Sequence, residues 1–492
     1  VLHVGANDMV RLRRDGPAIM IEGPPPPGPS VVSKPMVTVS EPSDFEIAIP
    51  EGSGRLLYVM SEGASVYVSQ SLERIAHAAP LVLRPLSAVR FIENRNGLHE
   101  TLFAGLRSFP AGTTVRYING TISVAWAYDS LRDTTRQNPA EVLQDIVASV
   151  ESDALVGIDF SGGLDSTAIL HAVRALAARR LVACTWHDPH GSAPDDLEWA
   201  QRIAKQLKVE HIVVLIDDRL LLNVPSRSIP GMPTSALAFR GVMDNRQEAL
   251  RSHFRGAPFS TINGHGGDQV FLDPVPAEVL LSILRRTPSK TASAWRAYRS
   301  LYGIDPLRVM WHAYGRAVHR SALLSAYARA LQPLAREGGA KLHRRHALIR
   351  EAIVQNSASF HGDGEVRTIH PFTDTRMIRC ALAYQDHELF NAEHSRHPLR
   401  RGLEQRYGHC DFFRKGKGHM TGAYQRAIRS RESDFRDMIA HGRLAGEGLI
   451  NIEAAHRALR RCAMGYAGVP HDLMTLLCAE LLLKALENLK HA

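Results

Sequence analysis

The sequence predicts an α/β protein with a β-rich N-terminal part, a helix-covered parallel sheet and a largely helical C-terminal part. Three observations predict it. Residues 1 to about 130 are rich in β-formers and turn signals, residues from Asn138 alternate short apolar runs with helical spacing, and residues from about 275 are helical in pattern. At 492 residues the chain exceeds one ordinary core, so two domains are expected, read as 1–130 and 131–492.

In the N-terminal part, Gly23 to Pro29 holds four consecutive prolines and reads as a loop. Strand-like runs follow at 55–59, 64–68, 114–118 and 121–124. Asn119-Gly120 joins the last two as a two-residue hairpin signal. A polar stretch, Asp129 to Gln137, reads as the linker.

The pattern then changes. Asn138-Pro139-Ala140-Glu141 sets a capping side chain, a first-turn proline and a carboxylate where a helix start wants them. Ala154 to Phe160 is a short apolar run, the mark of a buried parallel strand. Helical spacing over 166–179, a strand over 181–185, a helix over 195–207 and a strand over 211–216 complete a β-α-β-α-β series. Met474 to Leu486 is the most apolar region, but Glu480 and Lys484 interrupt it, so it reads as a core helix and not a membrane span.

Composition narrows the function only a little. Hydrophobic residues at 45% and charged residues at 22% exclude global disorder. A net charge of +9 fits nucleic acid, polyphosphate or an acidic peptide equally. Five scattered cysteines without a C-x-x-C pair suggest buried thiols in a reducing compartment, and a cytoplasmic location is expected. The pairs Arg344-Arg345 and Arg400-Arg401 lack aromatic interleaving and read as solvated helix faces; neither nucleic acid nor membrane is an expected partner.

The chemistry concentrates in two strings. Ser161-Gly162-Gly163-Leu164-Asp165-Ser166 lies between a predicted strand, ending at Phe160, and a predicted helix. Its glycines let backbone N–H groups approach an anion, the helix start adds partial positive charge, and both serine hydroxyls can donate to phosphate. Asp165 suits such a loop only with a cation between it and the phosphates, as at Mg²⁺ sites. The second string is Asn263-Gly264-His265-Gly266-Gly267-Asp268-Gln269.

The first string resembles the loop of the N-type ATP pyrophosphatases, S-G-G-x-D-S, and the second resembles a signature of the asparagine synthetase group. Asp195-Asp196 with Ala200, Glu365-Val366-Arg367 with His370-Pro371-Phe372-Thr373-Asp374, and Arg414-Lys415-Gly416-Lys417-Gly418 match further motifs in order. Thr101 to Phe103 and Phe109 to Gly112 resemble the close of the family's N-terminal domain. Gln269 departs from the family's usual Glu. The resemblance implies a degenerate Ntn-hydrolase-like first domain and an ATP-pyrophosphatase synthetase domain. It also implies ATP and Mg²⁺ as cofactors. Phe160, Ser161, Gly162, Gly163, Asp165, Ser166, Asn263, Gly264 and Gly266 would bind nucleotide, and Asp165 and Asp268 would bind metal.

Glutamine-using members carry a nucleophilic N-terminal cysteine; here Val1-Leu2-His3 begins the sequence and no cysteine precedes Cys184. The expected amine therefore belongs to the substrate. Gly264 to Asp268 is most similar to the isopeptide-forming cyclases of lasso peptides, with a β-lactam synthetase or an asparagine-synthetase-like amidotransferase as alternatives. On that reading a linear core peptide is adenylated on an Asp or Glu side chain and closed by its own N-terminal amine. A leader-peptide binding protein and a leader protease are implied partners. Lys417 is expected to stabilise charge on the adenylate, Arg414 to contact phosphate, and His265 to accept the amine proton, unless it is a structural ring. A tRNA-modifying adenylating enzyme is the reading from another class, and a non-catalytic binding protein is a third.

Overall fold

The computed structural model describes residues 2–3, 9–13, 19–22, 36–41, 44–51, 55–63, 65–118, 121–130, 136–149, 155–176, 180–191, 195–225, 229, 232, 234–311, 320–331, 344–359, 366–408, 410–413, 420–466 and 468–491. The proline-rich loop, the Asn119-Gly120 turn and most of the expected linker lie outside them.

Two five-stranded antiparallel sheets form the N-terminal part. Thr113–Ile118 and Thr121–Trp126 pair antiparallel, as the hairpin signal requires. Period-two alternation sends Phe45, Ile47, Ile49, Val115 and Tyr117 of one sheet against Leu57, Val59, Val66, Val68 and Phe109 of the other. The second sheet's other face, with Tyr58 and Tyr67, meets two helices absent from the sequence reading, Leu72–Ala78 and Pro85–Ile92. Both helices also pack on the helix His471–His491.

The alternating region forms one wholly parallel sheet. Its order is Glu210–Leu215, Arg180–His187, Leu155–Asp159, Ser260–Ile262 and Arg367–Ile369. The helix before it starts as expected, with the Ala140 N–H donating to Asn138 Oδ1 at 2.9 Å. The strands Ser260–Ile262 and Arg367–Ile369 are additions to the sequence reading, because three residues are too few to show a period. From Leu155–Asp159 the chain first builds outward on one side and then returns to place Ser260–Ile262 on the other. The two strands preceding the two signature strings are therefore neighbours, and the crevice at their carboxyl ends is where open α/β sheets bind ligands.

The apolar C-terminal run is a buried helix, His471–His491. No described helix is long and apolar enough to cross a membrane. Glu480 is buried within this helix and accepts N–H bonds from Arg443 (3.0 Å) and Leu444 (2.9 Å). Burial pushes its carboxyl up to about 7, outweighing the two N–H bonds that favour the ionised form. Cys184, Cys380, Cys462 and Cys478 are buried free thiols.

The basic pairs correct the sequence reading. Arg344 and Arg401 are exposed, but Arg345 and Arg400 are buried. Arg345 donates to the carbonyls of Ala381 (2.5 Å) and Tyr384 (2.9 Å), and Arg400 to that of Ser395 (3.0 Å). Each guanidinium donates to loop or helix-end carbonyls in the interior.

Candidate active site

The first string folds as a turn into the helix Leu164–Arg174. Gly162 takes φ +69°, and a Cβ there would lie 3.1 Å from Trp199 and 3.2 Å from the Ala200 nitrogen. Small Ala200, on the helix Asp195–Gln206, thus permits the approach. The two serines brace the turn. Ser166 Oγ accepts the Ser161 N–H at 3.2 Å, and Ser161 Oγ accepts that of Gly163 at 3.3 Å. Phe160 anchors its base through an N–H bond to the Cys184 carbonyl and a carbonyl accepting Thr185 Oγ1 at 2.5 Å.

The second string packs directly on the first. A Cβ on Gly264 would meet Asp165 Cβ at 2.7 Å, and one on Gly267 would meet Asp165 Oδ1 at 2.5 Å. Gly266, at φ +97°, passes within 2.5 Å of Thr373 on the same test. Gly264 and Gly267 are therefore required by close approach, and Gly266 by its positive φ as well.

Asn263 is buried and organises the turn: its Oδ1 accepts the His265 N–H at 3.1 Å and faces His370 Nδ1 at 2.7 Å. Burial, reinforced by the charge of His265 and Arg246, lowers His370 to about 3, so the ring is neutral and Nδ1 carries the donating proton. Behind it, Asn356 donates to the His265 carbonyl (3.3 Å) and to Thr373 Oγ1 (3.0 Å). The described residues of the third motif, from Val366 to Asp374, therefore back the second loop and are not among those lining the cavity. His265 is exposed and lines the cavity, and its ring is not packed beneath the loop.

Asp165 and Asp268 converge on a side chain the sequence reading missed. Arg396 Nη1 stands 2.7 Å from Asp165 Oδ2 and 2.7 Å from Asp268 Oδ1, while Nη2 reaches Asp273 Oδ2 at 2.9 Å. Burial alone would lower the guanidinium pKa; the three carboxylates outweigh it and hold the pKa above its ordinary value. Three acids against Arg396 leave an excess of negative charge, which Arg400 only partly offsets. Hard carboxylate oxygens converging on a point that already holds a cation fit Mg²⁺. The only sequence cue to Arg396 was Pro398, which marks a helix start, and such a cue says nothing about which cation faces the site.

Lys417 and Arg414 lie outside the described residues, as does Glu365. Their neighbours Asp411, Phe412 and Met420 line the cavity. That cavity measures about 1170 Å³, somewhat above the ~300–1,000 Å³ usual for one small ligand. One part of its lining is the polar pair of loops. Another is apolar, with Met232, Phe239, Met243 and Met474 beside Phe91 and Leu98 of the N-terminal part.

The asparagine synthase family model matches residues 139–486, most of the chain. A curated tRNA(Ile)-lysidine synthase of Alkalilimnicola ehrlichii is 32% identical over 145 residues, 29% of this chain and 29% of that protein. The chain thus spans less than a third of that relative's length. Among solved structures, the U34-tRNA thiolase NcsA of Methanococcus maripaludis aligns with 46% of this chain and 78% of its own (14% identity, TM-score 0.22). An NH3-dependent NAD synthetase of Campylobacter jejuni aligns with 46% and 94% (13%, TM-score 0.22). Scores this low do not establish a common fold.

Proposed function

The chain belongs to the asparagine synthase family, and from that premise we propose that it is an ATP-dependent, AMP-forming amide ligase. A substrate carboxylate oxygen attacks the α-phosphorus of ATP, the bond to the β-phosphate oxygen breaks, and pyrophosphate leaves. An amine nitrogen then attacks the acyl-adenylate carbonyl, loses its proton, and expels AMP. The observation that carries this reading is the crevice where both signature loops converge with Asp165 against Gly264 and Gly267.

The Gly162 N–H and the helix start at Leu164 form the proposed phosphate cradle, on a turn braced by the Ser161 and Gly163 N–H groups. Asp165 and Asp268 are the residues that would hold Mg²⁺, which supplies charge neutralisation at the departing pyrophosphate. His265, exposed to the cavity, is the candidate acceptor of the amine proton. Lys417 is the candidate stabiliser of the adenylate, and Arg414 a candidate phosphate contact.

For the substrate, the specific reading is a linear peptide closed into a macrolactam by an isopeptide bond, as in the lasso-peptide cyclases. Gly264 to Asp268 supports it. So does a cavity larger than one small ligand needs, with an adaptable methionine-rich wall suited to apolar peptide side chains. The N-terminal sandwich is then the degenerate Ntn-hydrolase-like domain of residues 1–130. A leader-binding protein and a leader protease would supply the core peptide.

Asp165→Asn and Asp268→Asn should each abolish AMP release from ATP, by at least ~10³-fold, with an unchanged circular dichroism spectrum. Undiminished AMP release would sink the assignment. Mass spectrometry of candidate peptides with ATP and Mg²⁺ should show loss of one water; acylation of free ammonia instead would favour an amidotransferase. The match to a tRNA(Ile)-lysidine synthase favours a second reading, an adenylating enzyme acting on tRNA. Tight tRNA binding with steep salt dependence would select it.

A further inference from the structure

Arg396 sits in a place that its own helix does not favour. It is the N-cap of the helix His397–Tyr407, in the left-handed region at φ 54°, ψ 35°. A cation at a helix start opposes the macrodipole, and a side chain with a Cβ resists that backbone conformation. The guanidinium is deeply buried, and its Nε–H has no hydrogen-bond partner. What holds it is the set of three carboxylates of Asp165, Asp268 and Asp273. Local strain at a site, offset by charge from elsewhere in the chain, is the mark of a functional position.

We propose that Arg396 is a positioning residue that acts as the site's resident cation. Its Nη1 occupies the point between Asp165 and Asp268 and holds both carboxylates convergent. Entry of the divalent ion with ATP requires the guanidinium to withdraw from that point. Its freed donors, the unpartnered Nε–H included, then face the polyphosphate. Two consequences follow from the shared point. The divalent ion and Arg396 compete for the same oxygens, so the nucleotide-free enzyme has little affinity for metal alone. The acids also do not repel one another apart while the site waits for substrate. This rests on the assignment of Asp165 and Asp268 as the metal-holding pair.

The test uses Mn²⁺ as the probe, titrated into the full chain without nucleotide and followed by electron paramagnetic resonance. Wild type should bind Mn²⁺ weakly. Arg396→Gln should bind it about tenfold more tightly or better, a change within the usual range of coupling between sites. Its melting temperature, lower than wild type without metal, should recover as Mn²⁺ is added. Equal Mn²⁺ affinity in wild type and Arg396→Gln overturns the competition. So does tight wild-type binding that disappears in Asp268→Asn. Should Arg396→Gln fail to fold, the wild-type measurement still decides. Binding that is weak alone and tightens with a non-hydrolysable ATP analogue, sensitive to Asp268→Asn, supports the proposal, and equally tight binding without nucleotide overturns it. Failure of the metal assignment reads differently: Mn²⁺ bound with the analogue would then be indifferent to Asp268→Asn.

Discussion

At the scale of single residues, the site depends on missing atoms as much as on present ones. Asp165 reaches its position because Gly264 and Gly267 offer no Cβ to displace it. Gly264→Ala should therefore cost about 1–3 kcal/mol of stability through overpacking. It should reduce AMP formation far more than it lowers the melting temperature, measured side by side. His370 supplies a second expectation. Its pKa falls on folding from 6.5 to about 3, so the unfolded chain takes up a proton that the folded one refuses. The contribution of the neutral ring is whole above about pH 6.5 and shrinks as pH falls toward 3. Urea midpoints measured across that window should decline less steeply in His370→Asn. Residue identities such as Ser161, Asp165 and Asp268 were legible in the sequence because a short string at a strand-to-helix turn has few other uses. Arg396 was not, since the three aspartates that define it are distant in the chain and nothing in its own stretch points to them.

Among the elements, Ser260–Ile262 was not read as a strand, while three of the five parallel strands were read to within a residue or two. Their continuous apolar runs, bounded by turn chemistry, carry that information locally. The helices Leu72–Ala78 and Pro85–Ile92 and the strand Arg367–Ile369 were missed because they are short and take their meaning from what they pack on. Glu480 shows how an element can be tied down from a distance, for its carboxylate holds the first N–H groups of the helix Arg443–Gly446. Its pKa rises on folding from 4.5 to about 7, so the folded chain holds a proton that the unfolded chain has lost. That contribution is complete below about pH 4.5 and is lost as pH rises through 7; it amounts to roughly 3 kcal/mol over the window. Glu480→Gln should flatten the fall in stability between those limits, which chemical denaturation at a series of pH values would reveal. A variant with the wild-type slope would show that the carboxyl titrates normally.

For the whole molecule, the large cavity is shared. Phe91 and Leu98 come from the N-terminal part, the phosphate loop from the sheet, and Met474 and Cys478 from the helix His471–His491. Leu98→Glu sets a charge among the apolar residues of the cavity lining. It should raise KM for the amine-bearing substrate about tenfold or more while leaving KM for ATP nearly unchanged. Equal effects on both would mean that this wall does not touch the acceptor substrate. The sequence alone could not show that wall, because its residues are common core types until the fold leaves them facing a void.

The helix His471–His491 carries a consequence for how the protein comes into being. It packs on both N-terminal helices, caps another element through Glu480 and closes one side of the cavity. A ribosome will have delivered every signature string well before this helix emerges. The nascent chain then has all its recognisable motifs and no enclosed chamber, and competence arrives late and at once. A gene fragment ending before His471 would pass any inventory of motifs and still encode a silent protein.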